Sequence, residues 1–409
     1  MTNLKSRLDL KSYRQLIYIT IAALAIGVFT GSLVVLFIKS LNWSIDFRKE
    51  HSFIILFLPI IGFCVAWVYK HYGLDSFKGN SLIIDEIHAP KNRIPLRMVP
   101  LIFISTCLSH LFGASVGREG AAVQMGGGLS AFFAKTLKAK ESQKRLFLMM
   151  GMSAGFSAIF GTPVAGAVFG LEVLFVGALA YEALVPCVLA SAVAFYTTLY
   201  LGVVSTHYFS IAVPFIEIKG VFAAILAGVM FGLTAKLFIW STHKVKELFS
   251  NNIKNSLLHP LAGGILLVIL FYLVGSDRYH SLGEEIIHDS FRMRVYPWDF
   301  FGKLFSTALS IGSGFKGGEV MSLFYMGSTL GNSLSFILPL DYPVLAALGF
   351  VSVFAGATNT PLTGFLLAFE LYGSSIGVYA AVAVSFSYLF SGKKGIYHTQ
   401  VVHREKTID

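Results

Sequence analysis

Gly117-Arg118-Glu119-Gly120, continued by Ala121-Ala122-Val123-Gln124-Met125-Gly126-Gly127-Gly128, stands inside a long apolar run. Charged side chains at membrane depth are costly, so an Arg-Glu pair there marks a functional site by default. The glycines let backbone amides approach a ligand closely. A helix that starts just after them turns its positive dipole end into the bilayer. The stretch reads as an anion site with a carboxylate placed where an anion would sit.

The rest of the chain supplies the membrane. Of 409 residues, 55% are hydrophobic and only 13% charged, and the mean hydropathy is +0.70; a soluble protein of this size is far less apolar. Apolar runs recur at Leu16–Ile38, Phe53–Tyr69, Met98–Phe112, Ala183–Leu201, Val221–Ile239, Leu261–Val274 and Ile376–Phe390. Several fall short of the roughly 20 residues a full span needs. Such segments predict helices that stop partway, which are tolerated where they face a cavity or other protein. The formal charge of +10 is spread over short connections, which suits headgroup contact and not a nucleic-acid groove. Lys5, Arg7, Lys11 and Arg14 precede the first run, and Lys393, Lys394, Arg404 and Lys406 follow the last. Both termini are therefore expected on the cytoplasmic side, with the first helix retained and not cleaved as a signal peptide. Cys64, Cys107 and Cys187 read as buried packing residues, and the histidines lack metal-ligand spacing, so no metal or cofactor is expected.

A shift of 198 residues lays Gly151, Phe156, Thr162, Pro163, Gly166 and Glu172 on Gly349, Phe354, Thr360, Pro361, Gly364 and Glu370. A looser correspondence pairs the Gly117 region with Gly312-Ser313-Gly314-Phe315-Lys316-Gly317-Gly318-Glu319. Each half thus carries a Gly-rich break followed by a Thr-Pro helix start. Repeats of this kind bring paired broken helices together near the midplane, where substrate binds. The expected organisation is one transmembrane domain over 1–409: a first half at 16–205, a join around Thr206 to Lys219, a second half at 215–392, and a tail at 393–409.

Gly117-Arg118-Glu119-Gly120-Ala121 resembles the Gly-[Lys/Arg]-Glu-Gly-Pro motif of the CLC family of chloride channels and proton-coupled anion exchangers. Pro361-Leu362-Thr363-Gly364 resembles that family's second-half motif, and the order of motifs, the repeat and the late Tyr397 agree with it along nearly the whole chain. The resemblance implies an all-α polytopic membrane protein, with two inverted repeats whose broken, tilted helices meet at a midplane anion site. It also implies a homodimer with a pore in each subunit.

By the same resemblance, Lys78-Gly79-Asn80-Ser81 stands where the family has its Gly-Ser-Gly-Ile-Pro anion loop, with Asn80 replacing the coordinating Ser. Gly318-Glu319-Val320-Met321 stands at Gly-x-Phe-x-Pro, with Glu319 introduced beside the pore and Val320 in place of the Phe. Tyr397 takes the place of an anion-facing tyrosine, and Val173 stands where proton-coupled chloride exchangers carry a relay Glu. Glu119 and Glu319 are the candidates for gating and proton transfer. The candidates for lining the anion path are Gly79, Asn80, Gly117, Arg118, Gly120, Ala121, Gly318, Val320, Met321 and Tyr397. Each has an ordinary reading as well. Glu119 could serve only to pair with Arg118, Glu319 could be a solvated helix start, Gly-Asn-Ser could be a turn, and Tyr397 an interfacial tyrosine. Glu172 and Glu370 read as structural ties between helix ends.

The departures at Asn80, Val320, Glu319 and Val173 are similar to the fluoride-handling branch, which implies fluoride export against proton entry with Glu119 as the moving carboxylate. A chloride/proton exchanger and a passive anion channel of the same fold stay open. A membrane-embedded enzyme lacks any His-Glu-x-x-His or Gly-x-Ser-x-Gly signature. The expected partners are fluoride or chloride, protons, the lipid bilayer and a second copy of the chain, with no nucleic acid. The expected location is a bacterial inner membrane.

Overall fold

The computed structural model describes residues 2–91, 93–203 and 211–406, with side chains described from Tyr13 onward. The first half builds α1 (Thr2–Glu50), α2 (Leu58–Tyr72), α3 (Asn80–His88), α4 (Met98–Leu111), α5 (Glu119–Thr136), α6 (Glu141–Phe160), α7 (Pro163–Glu172) and α8 (Leu184–Tyr200). The second builds α9 (Ile218–Asn252), α10 (Leu258–Val274), α11 (Glu284–Arg292), α12 (Asp299–Ser313), α13 (Val320–Leu334), α14 (Tyr342–Thr358), α15 (Pro361–Tyr372) and α16 (Gly377–Phe390). Among the described residues, four helical stretches are long and apolar enough to cross a membrane: Tyr13–Glu50, Ser52–Tyr72, Tyr181–Tyr200 and Ile218–Asn252. α4, α7, α10, α14 and α15 are apolar but shorter, as the interrupted runs predict. Residues 206–210 of the expected join lie outside the described residues, and 211–217 run without regular structure into α9.

α5, α6, α13 and α14 form the centre and are buried on nearly all faces, which suits helices apolar all round. Their close approach depends on glycine. A Cβ on Gly126 would lie 2.1 Å from the Gly151 carbonyl oxygen, and one on Gly327 would lie 2.0 Å from that of Gly349. The same glycine-on-glycine crossing thus joins α5 to α6 and α13 to α14, the close backbone packing that membrane helices use in place of a hydrophobic drive.

The shift of 198 also appears in the hydrogen bonds. Glu172, at the end of α7, accepts from the Leu362 and Thr363 amides at 2.8 Å and from the Thr363 hydroxyl at 2.7 Å. Glu370, on α15, accepts from the Val164 and Ala165 amides at 2.8 and 2.7 Å. Each carboxylate satisfies the orphan first-turn amides of the other half's Thr-Pro helix and meets its positive dipole end. Ahead of those helices, Gly161 and Asn359 occupy equivalent left-handed positions, φ 70° and 59°, each followed by Thr-Pro; the proline then stands at the first helical position, where it loses no bond.

One local expectation needs correcting. Cys64 is exposed on α2, Cys107 is partly exposed, and only Cys187 is buried, because α2 turns much of its surface outward, with Ile60 and Trp67 exposed beside Cys64. The tail is anchored at 400–402: Val401–Val402 pair in parallel with Phe175–Val176, and Gln400 donates to the carbonyls of Val173 and Thr358 at 2.9 and 2.8 Å.

Candidate functional site

The two Gly-rich breaks meet. Gly117 and Gly318 form an antiparallel bridge, with the Gly117 amide donating to the Gly318 carbonyl at 2.5 Å and the Gly318 amide returning a bond of 2.7 Å. The bridge joins the two Gly-rich breaks that the looser correspondence pairs. The bridge sets the starts of α5 and α13 side by side, both pointing amides inward.

Glu119 is the first residue of α5 and is 1% exposed. Its Oε2 accepts from the Met321 amide at 3.0 Å and from the Arg118 amide at 3.1 Å. The carboxylate therefore bridges the two helix starts and occupies a place built from backbone donors, where first-turn amides have no intrahelical acceptor. Its other oxygen, Oε1, is buried without a hydrogen bond among the described residues and lies 3.8 Å from Arg118 Nε. Gly120 and Ala121 complete the first turn of α5, both buried, and Val320 and Met321 begin α13. A Cβ on Gly120 would come within 3.0 Å of Gly318 Cα and 3.4 Å of Asn80 Nδ2. That glycine is what allows three helix starts, α3, α5 and α13, to converge.

Asn80 opens α3 after Gly79, whose φ of 60° favours glycine. Asn80, Gly79, Gly120, Gly318, Glu319, Val320 and Tyr397 all line a cavity of about 720 Å³. The Asn80 Oδ1 is buried without a partner among the described residues. Tyr397 is buried, its ring 6.4 Å from that of Phe169, and the Ile396 amide fixes it by donating to the Ala357 carbonyl at 2.9 Å. Val173 is buried, and its carbonyl is occupied by Gln400.

Several residues of this cavity escaped sequence reasoning. Gln124 lines it one helical turn after Gly120, and a Cβ on Gly79 would touch its amide nitrogen at 3.2 Å. The spacing of four from Gly120 was the available signal. Lys246 and Lys316 line it too, Lys316 with its Nζ 4.6 Å from the Tyr69 ring centre. Among the described residues that line it, Lys70, Lys78, Lys246 and Lys316 face a single carboxylate, Glu319.

A second cavity, about 620 Å³, is lined by residues that include Arg48, Asp277, His280 and Glu284. The chain path puts the two cavities at opposite ends of the span: α1 runs up to Arg48, and α2 returns to Tyr69 and Lys70 in the first. Between them sits Arg118, whose Nη2 is 2.7 Å from Glu284 Oε1. Outside the bilayer core, His280 hydrogen-bonds Asp277 and holds its carboxyl below the usual carboxylate range. Among the described residues, no three His, Cys, Asp or Glu side chains cluster as a metal site.

Comparison with known proteins converges on one group. The family described as voltage gated chloride channel matches residues 61–392. A chloride/fluoride channel protein of Pseudomonas syringae pv. tomato is 47% identical, over 93% of this chain and 86% of its own. The crystal structure of a CLC-type fluoride/proton antiporter superposes with a TM-score of 0.92 at 34% identity, covering 95% of this chain and 99% of that one. A slow cyanobacterial Cl-/H+ antiporter shares the fold, with a TM-score of 0.79 at 20% identity over 93% and 96% of the two chains.

Proposed function

The chain belongs to the voltage gated chloride channel family, and from that premise we propose that it exchanges fluoride for protons across a bacterial inner membrane, moving fluoride outward as protons enter. The observation that carries this reading is the Glu119 carboxylate taking the amide hydrogens of Met321 and Arg118. An anion and this carboxylate cannot hold the same donors at once. Protonation cancels the carboxylate's attraction to the helix ends and lets it swing aside, so a proton taken by Glu119 is what frees the place for an anion. Competition of this kind couples the two fluxes, which is why antiport is preferred to a passive channel.

Fluoride is favoured over chloride as cargo by the relatives at 47% and 34% identity, one named a chloride/fluoride channel protein and the other a fluoride/proton antiporter. The local chemistry is compatible. A small, strongly hydrated anion needs strong donors to replace its water. The Asn80 amide, the first-turn amides of α5 and α13, and the Tyr397 hydroxyl are donors on the path. Arg118 is a counter-charge beside Glu119, and Glu319, on the first cavity, is the second proton-carrying group. Val173 leaves the usual relay position apolar, so protons reach Glu319 from that cavity directly. The half 16–205 supplies the starts of α3 and α5 and the half 215–392 that of α13, the tail supplies Tyr397, both termini lie on the cytoplasmic side, and two copies assemble as a dimer with separate paths.

The test is efflux from liposomes loaded with fluoride or chloride, read by ion-selective electrodes with a pH electrode in the same chamber. Fluoride efflux with simultaneous proton uptake supports the proposal. Chloride efflux at an equal rate, or anion flux without proton movement, replaces it with a chloride exchanger or a channel.

A further inference from the structure

Arg118 lies between two carboxylates. Its Nε is 3.8 Å from Glu119 Oε1, and its Nη2 is 2.7 Å from Glu284 Oε1. Glu119 is sealed inside, whereas the Glu284 side chain is 29% exposed and lines the second cavity. Glu284 is also held in place by its surroundings. The segment leading to it is braced by Lys303, fully buried, whose Nζ donates to the Ser281 carbonyl at 2.6 Å. The Ser281 hydroxyl in turn donates to the His110 carbonyl at 3.2 Å on α4. Gly283, at φ 72°, turns the chain so that α11 begins at Glu284. The backbone that carries Glu284 is thus anchored beside Arg118 independently of Glu119.

We infer that Glu284 is a positioning residue for the gate: by sharing the charge of Arg118 it keeps that arginine from holding Glu119 in its buried place. This rests on reading Glu119 as the moving carboxylate. The electrostatics run one way. With Glu284 neutral, Arg118 attracts ionised Glu119 more strongly, and the repulsion between the two carboxylates disappears as well. Both changes favour the ionised form, so a higher proton concentration is needed to release it. The other charged or titratable groups around this locus include His288, which faces Glu284 from the next turn of α11, His110 on α4, Arg48 on α1, Lys303 on α12, and Glu319 and Tyr397 on the first-cavity side. None of them changes in the variants below.

The experiment is the pH dependence of fluoride efflux from liposomes holding the full-length protein, compared for wild type, E284Q, E284A and E284D. The expected result is that E284Q and E284A reach half-maximal rate at a pH lower by about one unit, a tenfold change in proton concentration, with the fluoride-to-proton ratio unchanged. E284D, which keeps the charge, stays on the wild-type curve. A profile unmoved in either neutral variant overturns the proposal. So does an acid shift in E284D as large as in E284Q, since lost packing and not lost charge would then be its cause. The E119Q variant in the same vesicles separates the two readings. Persisting proton coupling there sinks the gate itself, whereas lost coupling beside an unmoved E284Q profile sinks only the role given to Glu284.

Discussion

Replacing Glu119 with Gln is the perturbation whose size the structure allows to be worked out. The native carboxylate takes two amide hydrogens, from Met321 at 3.0 Å and Arg118 at 3.1 Å. Hydrogen bonds to an ionised acceptor contribute about 1.5–3 kcal/mol and neutral ones about 0.5–1.5 kcal/mol. Gln keeps the acceptor oxygen and loses the charge, so each bond weakens by about 1 kcal/mol, about 2 kcal/mol for the pair. At about 1.4 kcal/mol per factor of ten, the side chain yields its place to an anion about 30-fold more readily. The nearby Arg118 charge, released from Glu119, adds in the same direction. The expected outcome in E119Q is fluoride binding tightened by about this factor in calorimetry on detergent-solubilised protein, with anion efflux carrying no proton. Proton uptake coupled to fluoride efflux in E119Q, or an unchanged fluoride affinity, refutes the reasoning.

Other expectations follow from the same geometry. Glu172→Ala strips the acceptor from two amides and the Thr363 hydroxyl, so it should destabilise by about 3 kcal/mol or more, whereas Glu370→Ala, which leaves amides in a less buried setting, should cost less; thermal unfolding in detergent ranks the two. Gly327→Ala would place a Cβ 2.0 Å from a backbone oxygen with no flexible neighbour to yield, and a loss of monodisperse protein in size-exclusion chromatography is expected. Asn80→Ser should move the fluoride-to-chloride rate ratio toward chloride, since it exchanges an amide donor for a hydroxyl on the path; an unchanged ratio in the liposome assay removes Asn80 from selectivity. Asp277 is depressed below its ordinary 3.8 mainly by the His280 hydrogen bond. Its contribution is therefore present above about pH 4 and lost as pH falls through the depressed value, and the melting-temperature gap between wild type and D277N should close in that acid window.

What could be read from the chain alone was what the repeat writes twice or what the membrane makes expensive. Glu119 announced itself because a charge between glycines in an apolar run has few ordinary explanations. The Thr-Pro starts of α7 and α15 and their partners Glu172 and Glu370 were visible because one shift superposes all of them. Glu284 carried no such mark: it stands in a polar, exposed-looking stretch, Gly283-Glu284-Glu285, and only the fold delivers it to Arg118. Lys246 carried no mark either, since a surplus of basic residues at the membrane surface explains such a charge well enough. Its place on the cavity with Lys316 and Glu319 comes from the packing of α9 against α12 and α13. Cys64 failed for a different reason: in a bilayer an apolar run does not say which of its faces meets protein and which meets lipid.

The repeat also explains where function enters. Under the register that pairs Gly117 with Gly318, Glu119 falls on Val320, and Arg118 falls on Glu319. The last two are the residues that cap the starts of α5 and α13. The scaffold follows the repeat: the glycine crossings and the carboxylate caps occur in matched pairs, and one bridge joins the two breaks. The charged groups break it. One half places a cation outside a bridging carboxylate, and the other places a carboxylate at the mouth of a lysine-lined cavity. A strictly symmetric pair of helix starts would offer an anion the same surroundings from both sides and could not tell an inward proton from an outward one. Charge inversion at equivalent positions removes that equivalence while leaving the backbone donors intact. Exchanging the two, with Arg118→Glu and Glu319→Arg together, should therefore abolish proton uptake coupled to fluoride efflux in the liposome assay, and coupling retained in the exchanged variant refutes the argument. The reason lies outside the repeat: Glu284 and Lys246 are not themselves a repeat pair, and each is placed for the charge it now faces.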